Sequence, residues 1–143
     1  MRIYFLNPPY YSHFGRSMRW QDTGRAGTLY YPIWLSYAAA VSDQFHKIRL
    51  VDAPAWSWER EEVMDDIHRF KPGLVIVDSS FPSLNNDITI ANEIKNAFEI
   101  PVCLVGPPTS QMADRILDRG LDYVARWEYD FTILDLANSL EKG

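Results

Sequence analysis

Five short apolar runs alternate with helical patterns along the chain, and this alternation constrains the fold more than any other feature. The runs lie at residues 3–6, 48–51, 74–77, 102–105 and 123–125. The third and fourth are apolar throughout, as in strands that are covered on both faces. Apolar residues at helical spacing occupy residues 33–45, 59–70, 88–98, 112–117 and 131–140. This order predicts an α/β fold with a parallel sheet and helices on both faces.

Chain length selects among such folds. Five parallel strands in 143 residues favour the flavodoxin-like (Rossmann-like) doubly wound arrangement, with strand order 2-1-3-4-5. In that order the topological switch point lies between strands 1 and 3, and ligands bind beyond the carboxyl ends of the strands there. No internal repeat, low-complexity segment or linker interrupts the sequence. We therefore expect one domain over residues 1–143.

Composition and charge exclude several classes of protein. The net charge of −5 argues against a general binder of nucleic acid or anionic membrane. No apolar stretch reaches the roughly 18 residues of a membrane span, and the opening residues read as a first strand rather than a signal peptide. The single cysteine, Cys103, excludes a disulfide framework and a cysteine-rich metal or iron–sulfur site in this chain. These features predict a cytoplasmic protein.

The usual ligands of doubly wound domains lack their sequence signatures here. A dinucleotide needs a Gly-x-Gly-x-x-Gly turn after the first strand, where this chain has Asn7-Pro8-Pro9-Tyr10. Proline lacks the backbone amide that would bind a phosphate. The glycines at 24–27 have the wrong place and spacing, and neither a nucleoside triphosphate loop nor a flavin phosphate loop is present.

A receiver domain, which accepts a phosphoryl group on aspartate, is one alternative. Asp78 ends the third strand, and Thr109 or Ser110 follows the fourth, as in such domains. Receiver chemistry also needs an acidic pair for Mg²⁺ and a lysine. The corresponding positions hold Asn7, Pro8 and Arg126. A degenerate receiver-like or protein-interaction domain therefore stays open, as does an enzyme that uses Asp78 and His13 as acid and base.

The loops that follow the strands are similar to those of one family. The stretches that carry the likeness are, in chain order, FLNPP, YYPIWLSYAAAV, LVDAPA, VIVDSSFPSLNND, CLVGPPTSQM and DYVARWEYDFTILDLANSL. Together they span the chain, which resembles the cobalamin-binding domain at the amino end of radical S-adenosylmethionine enzymes. The resemblance implies a module that binds cobalamin at the carboxyl ends of the strands and presents it to a radical domain.

The resemblance also implies a division of labour within a longer parent protein. The parent would be a cobalamin-dependent, methyltransferase-like enzyme, and this domain alone would make no bonds. S-adenosylmethionine and a 4Fe-4S cluster are expected only in a C-terminal catalytic domain absent from this chain, since the cluster needs a Cys-x-x-x-Cys-x-x-Cys motif. Cobalamin and that catalytic domain are the expected partners.

The implied cofactor contacts lie in the strand-end loops. They are Asn7, Pro8, Pro9, Tyr10, Asp78, Ser79, Ser80, Ser83, Gly106, Pro107, Pro108, Thr109 and Glu128. Gly106 would admit the nucleotide tail of the cofactor, and the two prolines after it would form a stiff turn along one side of the slot. Thr109 and Ser110 would bond the tail or cap the next helix. Ser79 or Ser80 would bond the benzimidazole nitrogen, or else its own backbone.

The first loop departs from the family pattern. Many cobalamin domains carry Asp-x-His-x-x-Gly there, with the histidine on cobalt. Here His13 is the candidate metal ligand, without the aspartate that would orient it, and the radical group commonly lacks this histidine.

The connection from Pro8 to Pro32 is far longer than the roughly 2 to 6 residues usual in such folds. Its aromatic residues are expected either to cover the corrin or to plug the strand ends as core: Tyr10, Tyr11, Phe14, Trp20, Tyr30 and Tyr31. Its arginines would meet corrin amides or the tail phosphate: Arg16, Arg19 and Arg25. We expect this loop to order when cobalamin binds.

Overall fold

A computed structural model describes residues 1–11, 13–16 and 29–143. Its elements, in chain order, are β1 (Arg2–Asn7), α1 (Ile33–Asp43), β2 (Lys47–Asp52), α2 (Ala53–Trp56), α3 (Arg60–Phe70), β3 (Leu74–Asp78), α4 (Leu84–Phe98), β4 (Val102–Val105), α5 (Pro107–Leu117), β5 (Tyr123–Val124) and α6 (Asp130–Lys142). Within these ranges, no helix is long and apolar enough to cross a membrane.

The five strands form one parallel sheet in the order β2-β1-β3-β4-β5. Strand β1 borders the switch point, which lies between β1 and β3; Ile3 of β1 is opposite Ile48 of β2 on one side and Leu74 of β3 on the other. The predicted flavodoxin-like fold and strand order are confirmed.

Successive side chains of each strand point to opposite faces of the sheet, and they contribute to two apolar cores, one on each face. Tyr4 and Leu6 of β1 pack on the face covered by α3, α4 and α5. Ile3 and Phe5 pack on the opposite face, which α1 and α6 cover. The central strands are buried on both faces, which explains why β3 and β4 read as continuous apolar runs.

Helix α5 begins earlier than its apolar spacing predicts. We expected Pro107 and Pro108 to form a stiff turn, but they are the first two residues of the helix. Proline suits that position because its fixed φ matches the helix and its missing amide would be unpaired there anyway. The amino end of α5 therefore presents few amide donors to a ligand.

Candidate functional site

The carboxyl ends of β1, β2 and β3 carry a row of polar side chains. Asn7, Asp52 and Asp78 are the last residues of these strands, and the Asn7 Nδ2 donates a hydrogen bond to Asp52 Oδ1 at 2.8 Å. Asn7 and Asp78 are two residues beyond Phe5 and Ile76, which belong to the core under α1 and α6. By strand alternation, both polar side chains point to the α1/α6 side of the sheet edge.

Gly106 lies where β4 meets the loop that follows β3. Its backbone, with φ of 106° and ψ of 177°, is open essentially only to glycine. A Cβ atom there would lie 2.2 Å from the carbonyl oxygen of Ser79 and 3.1 Å from Asp78 Oδ1. The close approach that this glycine permits is therefore between two protein loops. We expected it to admit a ligand tail, and the structure gives a different physical reason for the glycine.

A buried arginine joins the first loop to α4. The side chain of Arg16 is 1% exposed, and its Nη2 lies 2.6 Å from Oδ1 of the fully buried Asp87. Its Nη1 donates to Asn7 Oδ1 at 3.0 Å and to the carbonyl oxygen of Pro8 at 2.6 Å, and its Nε donates to Ser83 Oγ at 3.2 Å. We expected Arg16 to meet corrin amides or phosphate, but this structure uses its donors within the protein.

The serines after β3 belong to the same network. Ser79 Oγ and Ser83 Oγ donate to Asp87 Oδ2 at 2.9 Å and 2.5 Å, and the hydroxyls of Ser80 and Ser83 lie 2.7 Å apart. Each hydroxyl thus has a partner within the protein. Their assignment as cofactor contacts stays a prediction, and a ligand would have to compete with Asp87 for them.

Thr109 connects the start of α5 to the end of β5. Its Oγ1 lies 2.8 Å and 2.6 Å from the carbonyl oxygens of Gly106 and Ala125, which share its one hydroxyl proton. The Ser110 Oγ accepts a hydrogen bond from the Trp127 amide at 2.8 Å. Both hydroxyls therefore hold the β4 and β5 loops together.

Asp78 is the most perturbed acid at this edge. It is 7% exposed, and burial raises its pKa from 3.8 to about 7. The charge of Arg16 lowers the pKa of Asp78, while Asp87 and Asp52 raise it further. The Ser79 amide donates to Asp78 Oδ1 at 3.0 Å. Near neutral pH this carboxyl can therefore serve as a donor as well as an acceptor.

Sequence reasoning missed Tyr129, which precedes α6. The residue is 5% exposed, and its hydroxyl is buried without a hydrogen-bond partner among the described residues. Burial, and next the charge of Asp78, raise the pKa of this phenol. The helical pattern that begins at Phe131 gave no signal for it, because a single tyrosine before a helix has no spacing to recognise.

The remaining predicted contacts lie in the first loop or in the loop before α6. The Tyr10 hydroxyl donates to the Pro82 carbonyl at 3.2 Å, and Asn86 Nδ2 donates to the Pro9 carbonyl at 2.9 Å. Glu128 is exposed in the loop before α6. His13 is exposed in a turn and has a left-handed backbone, with φ of 60°. Among the described residues, no three histidine, cysteine or acidic side chains are grouped to hold a metal ion.

The aromatic residues of the first loop divide into two groups. Phe14 is buried, and the centroid of its ring lies 4.9 Å from that of the half-buried Tyr10, so these two rings pack against each other. The tyrosines Tyr11, Tyr30 and Tyr31 are each more than half exposed. Trp20, predicted to be part of the cover or plug, and Arg19 and Arg25, predicted to meet corrin amides or the phosphate, lie outside the described part of the chain.

The chain is similar to one curated protein of uncertain role. It is 25% identical, over 146 aligned positions, to an uncharacterized methyltransferase of Pyrococcus horikoshii. The match covers all of this chain but 30% of that relative, so the chain spans less than a third of its length. A scan against models of known protein families finds no match.

Proposed function

We propose that this chain is a cobalamin-binding module of a longer, methyltransferase-like protein that also contains a radical S-adenosylmethionine domain. The observation that carries the proposal is the meeting of three polar loops at the switch point. The loops after β1, β3 and β4 touch one another there, through the contacts of Arg16 and of Gly106. This is the place where doubly wound folds bind their ligands.

The chemistry of the groups at this edge fits a large, mostly uncharged ligand. The edge has prolines where phosphate sites have amides, at residues 8, 9, 107 and 108. Asp52, and Asp78 in its ionised form, disfavour an anion, whereas the protonated Asp78 and the unpaired phenol of Tyr129 can bond amides or a heteroaromatic nitrogen. Cobalamin contains both kinds of acceptor: the carboxamides of its ring and the benzimidazole nitrogen of its tail. Its phosphate would have to lie away from these carboxylates.

The length and the name of the relative support the division of roles in this proposal. That protein is named a methyltransferase and is more than three times the aligned length. Cobalamin, when bound, would supply a carrier for a methyl group. The residues of this chain would hold and orient it, and a separate domain would bind S-adenosylmethionine and the iron–sulfur cluster.

Exposed aromatic side chains on α1 and α6 support an interaction surface on this side of the domain. Trp34 and Tyr37 of α1 are 62% and 55% exposed, and Phe131 of α6 is 70% exposed. Large apolar side chains exposed on neighbouring elements mark interaction surfaces. A second domain that packs over the α1/α6 side would bury them.

Equilibrium dialysis against hydroxocobalamin tests the proposal. We expect retained corrin at one equivalent, with a shifted visible spectrum, while flavin mononucleotide and NAD are not retained. Dialysis suits a domain whose affinity is weakened by the lack of its partner domain. If no corrin is retained at several hundred micromolar protein, the proposal is wrong; the degenerate receiver-like or protein-interaction alternative predicts that result together with no labelling of Asp78 by acetyl phosphate.

A further inference from the structure

The hydroxyl of Tyr129 is one of three buried side-chain polar atoms without a hydrogen-bond partner among the described residues; the others are Ser42 Oγ and His46 Nε2. Nearly all buried polar side-chain atoms in proteins have a hydrogen-bond partner, because an unpaired one loses its hydration without replacement. Tyr129 packs in the α1/α6 core with Cys103, Val105 and Ala125, and its hydroxyl has no partner among the described residues. A phenylalanine would fill the same space without this cost.

The hydroxyl faces an acidic and otherwise apolar environment. Asp78 and Asp130 are the charged groups that act on it, together with the Cys103 thiol. Asp78 lies on the same side of the sheet edge by strand alternation, beyond Leu74 and Ile76. The guanidinium of Arg16 is paired with Asp87; its charge lowers the pKa of Asp78, whereas the charged groups that act on the phenol itself are acidic. An anionic ligand group is therefore disfavoured, and a neutral acceptor is favoured.

We propose that Tyr129 is a ligand-binding residue whose hydroxyl donates a hydrogen bond to an uncharged acceptor of the bound molecule, beside Asp78. The acceptor is an amide oxygen or a heteroaromatic nitrogen. This inference rests on the proposed function, whose ligand contains both groups. This role gives a partner to a buried hydroxyl that has none among the described residues.

We expect Tyr129→Phe to maintain or raise the stability of the protein and to weaken its binding of cobalamin. Its urea midpoint should equal or exceed that of the wild type, since the variant removes an unpaired buried hydroxyl. Its affinity for cobalamin should fall roughly 3- to 10-fold, which corresponds to one lost hydrogen bond. A residue with only a structural role would lower the midpoint and leave the affinity unchanged.

Tyr4→Phe is the matched control. Tyr4 is also fully buried, but it lies in the opposite core and its hydroxyl donates to Asp66 at 2.9 Å. This variant should lower the urea midpoint, because it removes a satisfied bond, and should keep the affinity for cobalamin.

Cobinamide, which keeps the ring carboxamides but lacks the nucleotide tail, identifies the acceptor. If Tyr129→Phe weakens cobalamin alone, the acceptor is the tail nitrogen; if it weakens both corrins, the acceptor is a ring carboxamide. Equal affinity of wild type and variant for both corrins, or a midpoint lowered as in Tyr4→Phe, overturns the inference while the proposed function stands. If the wild type binds neither corrin, the proposed function fails and this inference fails with it.

Discussion

Replacing Asp78 with asparagine should remove a pH dependence from the stability of the fold. Asparagine has nearly the same shape, and its side-chain oxygen can still accept the Ser79 amide, which lies 3.0 Å from Asp78 Oδ1. The wild-type carboxyl has a pKa of about 7 in the folded protein and an ordinary value of 3.8. Between these two pH values the folded state holds a proton that the unfolded state has released. Stability therefore falls as pH rises through this window.

The magnitude follows from the difference between the two pKa values. The free energy of unfolding changes by about 1.4 kcal/mol per pH unit in this window. Across the whole window the loss is at most roughly 4 kcal/mol. Between pH 5 and pH 8, linkage predicts that the wild type loses roughly 2 to 3 kcal/mol relative to Asp78→Asn. Burial is the main cause of the raised pKa of Asp78. Asp87 and Asp52 raise this pKa further, and Arg16 lowers it.

Urea unfolding of both proteins at pH 5 and pH 8 measures this difference, and other titrating groups cancel because both chains contain them. The expected result is a free energy of unfolding that falls from pH 5 to pH 8 more steeply in the wild type than in the variant. Parallel pH profiles would refute the reasoning, because they would mean that Asp78 is ionised in the folded protein at pH 5.

Two further substitutions test the contacts that assemble the site. Gly106→Ala should cost several kcal/mol in the free energy of unfolding, because the new Cβ would lie 2.2 Å from a carbonyl oxygen of the neighbouring loop. Gly120→Ala, also at positive φ but with its nearest atom at 3.3 Å, should cost less, and equal losses in thermal or urea unfolding would contradict this explanation. Asp87→Ala should cost about 3 to 5 kcal/mol, because it leaves the buried Arg16 charge unpaired. The exposed control Glu93→Ala, which breaks a surface ion pair, should cost no more than about 1 kcal/mol, and a similar loss for both in urea unfolding would rule out a special role for burial.

The buried pair of Arg16 and Asp87 has a consequence for ligand access. It connects the first loop to α4 on one side of the switch point, and its partners include the end of β1 and the loop after β3. That side of the crevice is filled by protein side chains. Asp78 and Tyr129, which are themselves buried, lie on the α1/α6 side, outside the hydrogen bonds of this pair.

The order of the elements could be predicted from the sequence by itself, because it depends on local patterns. Apolar runs of strand length and apolar residues at helical spacing determine which segments are strands and which are helices. Parallel topology then places the ends of β1, β3 and β4 at one edge, so Asn7, Asp78 and Gly106 could be named as edge residues in advance. The prolines could likewise be recognised as unsuited to phosphate.

Only the tertiary structure decided what these residues touch. Arg16 meets Asp87, 71 residues away, and Gly106 lies against the backbone of Ser79. Tyr129 lies among apolar side chains with its hydroxyl unpaired. No local pattern encodes such pairings, since they depend on which loops the strand order brings together and on how closely those loops approach.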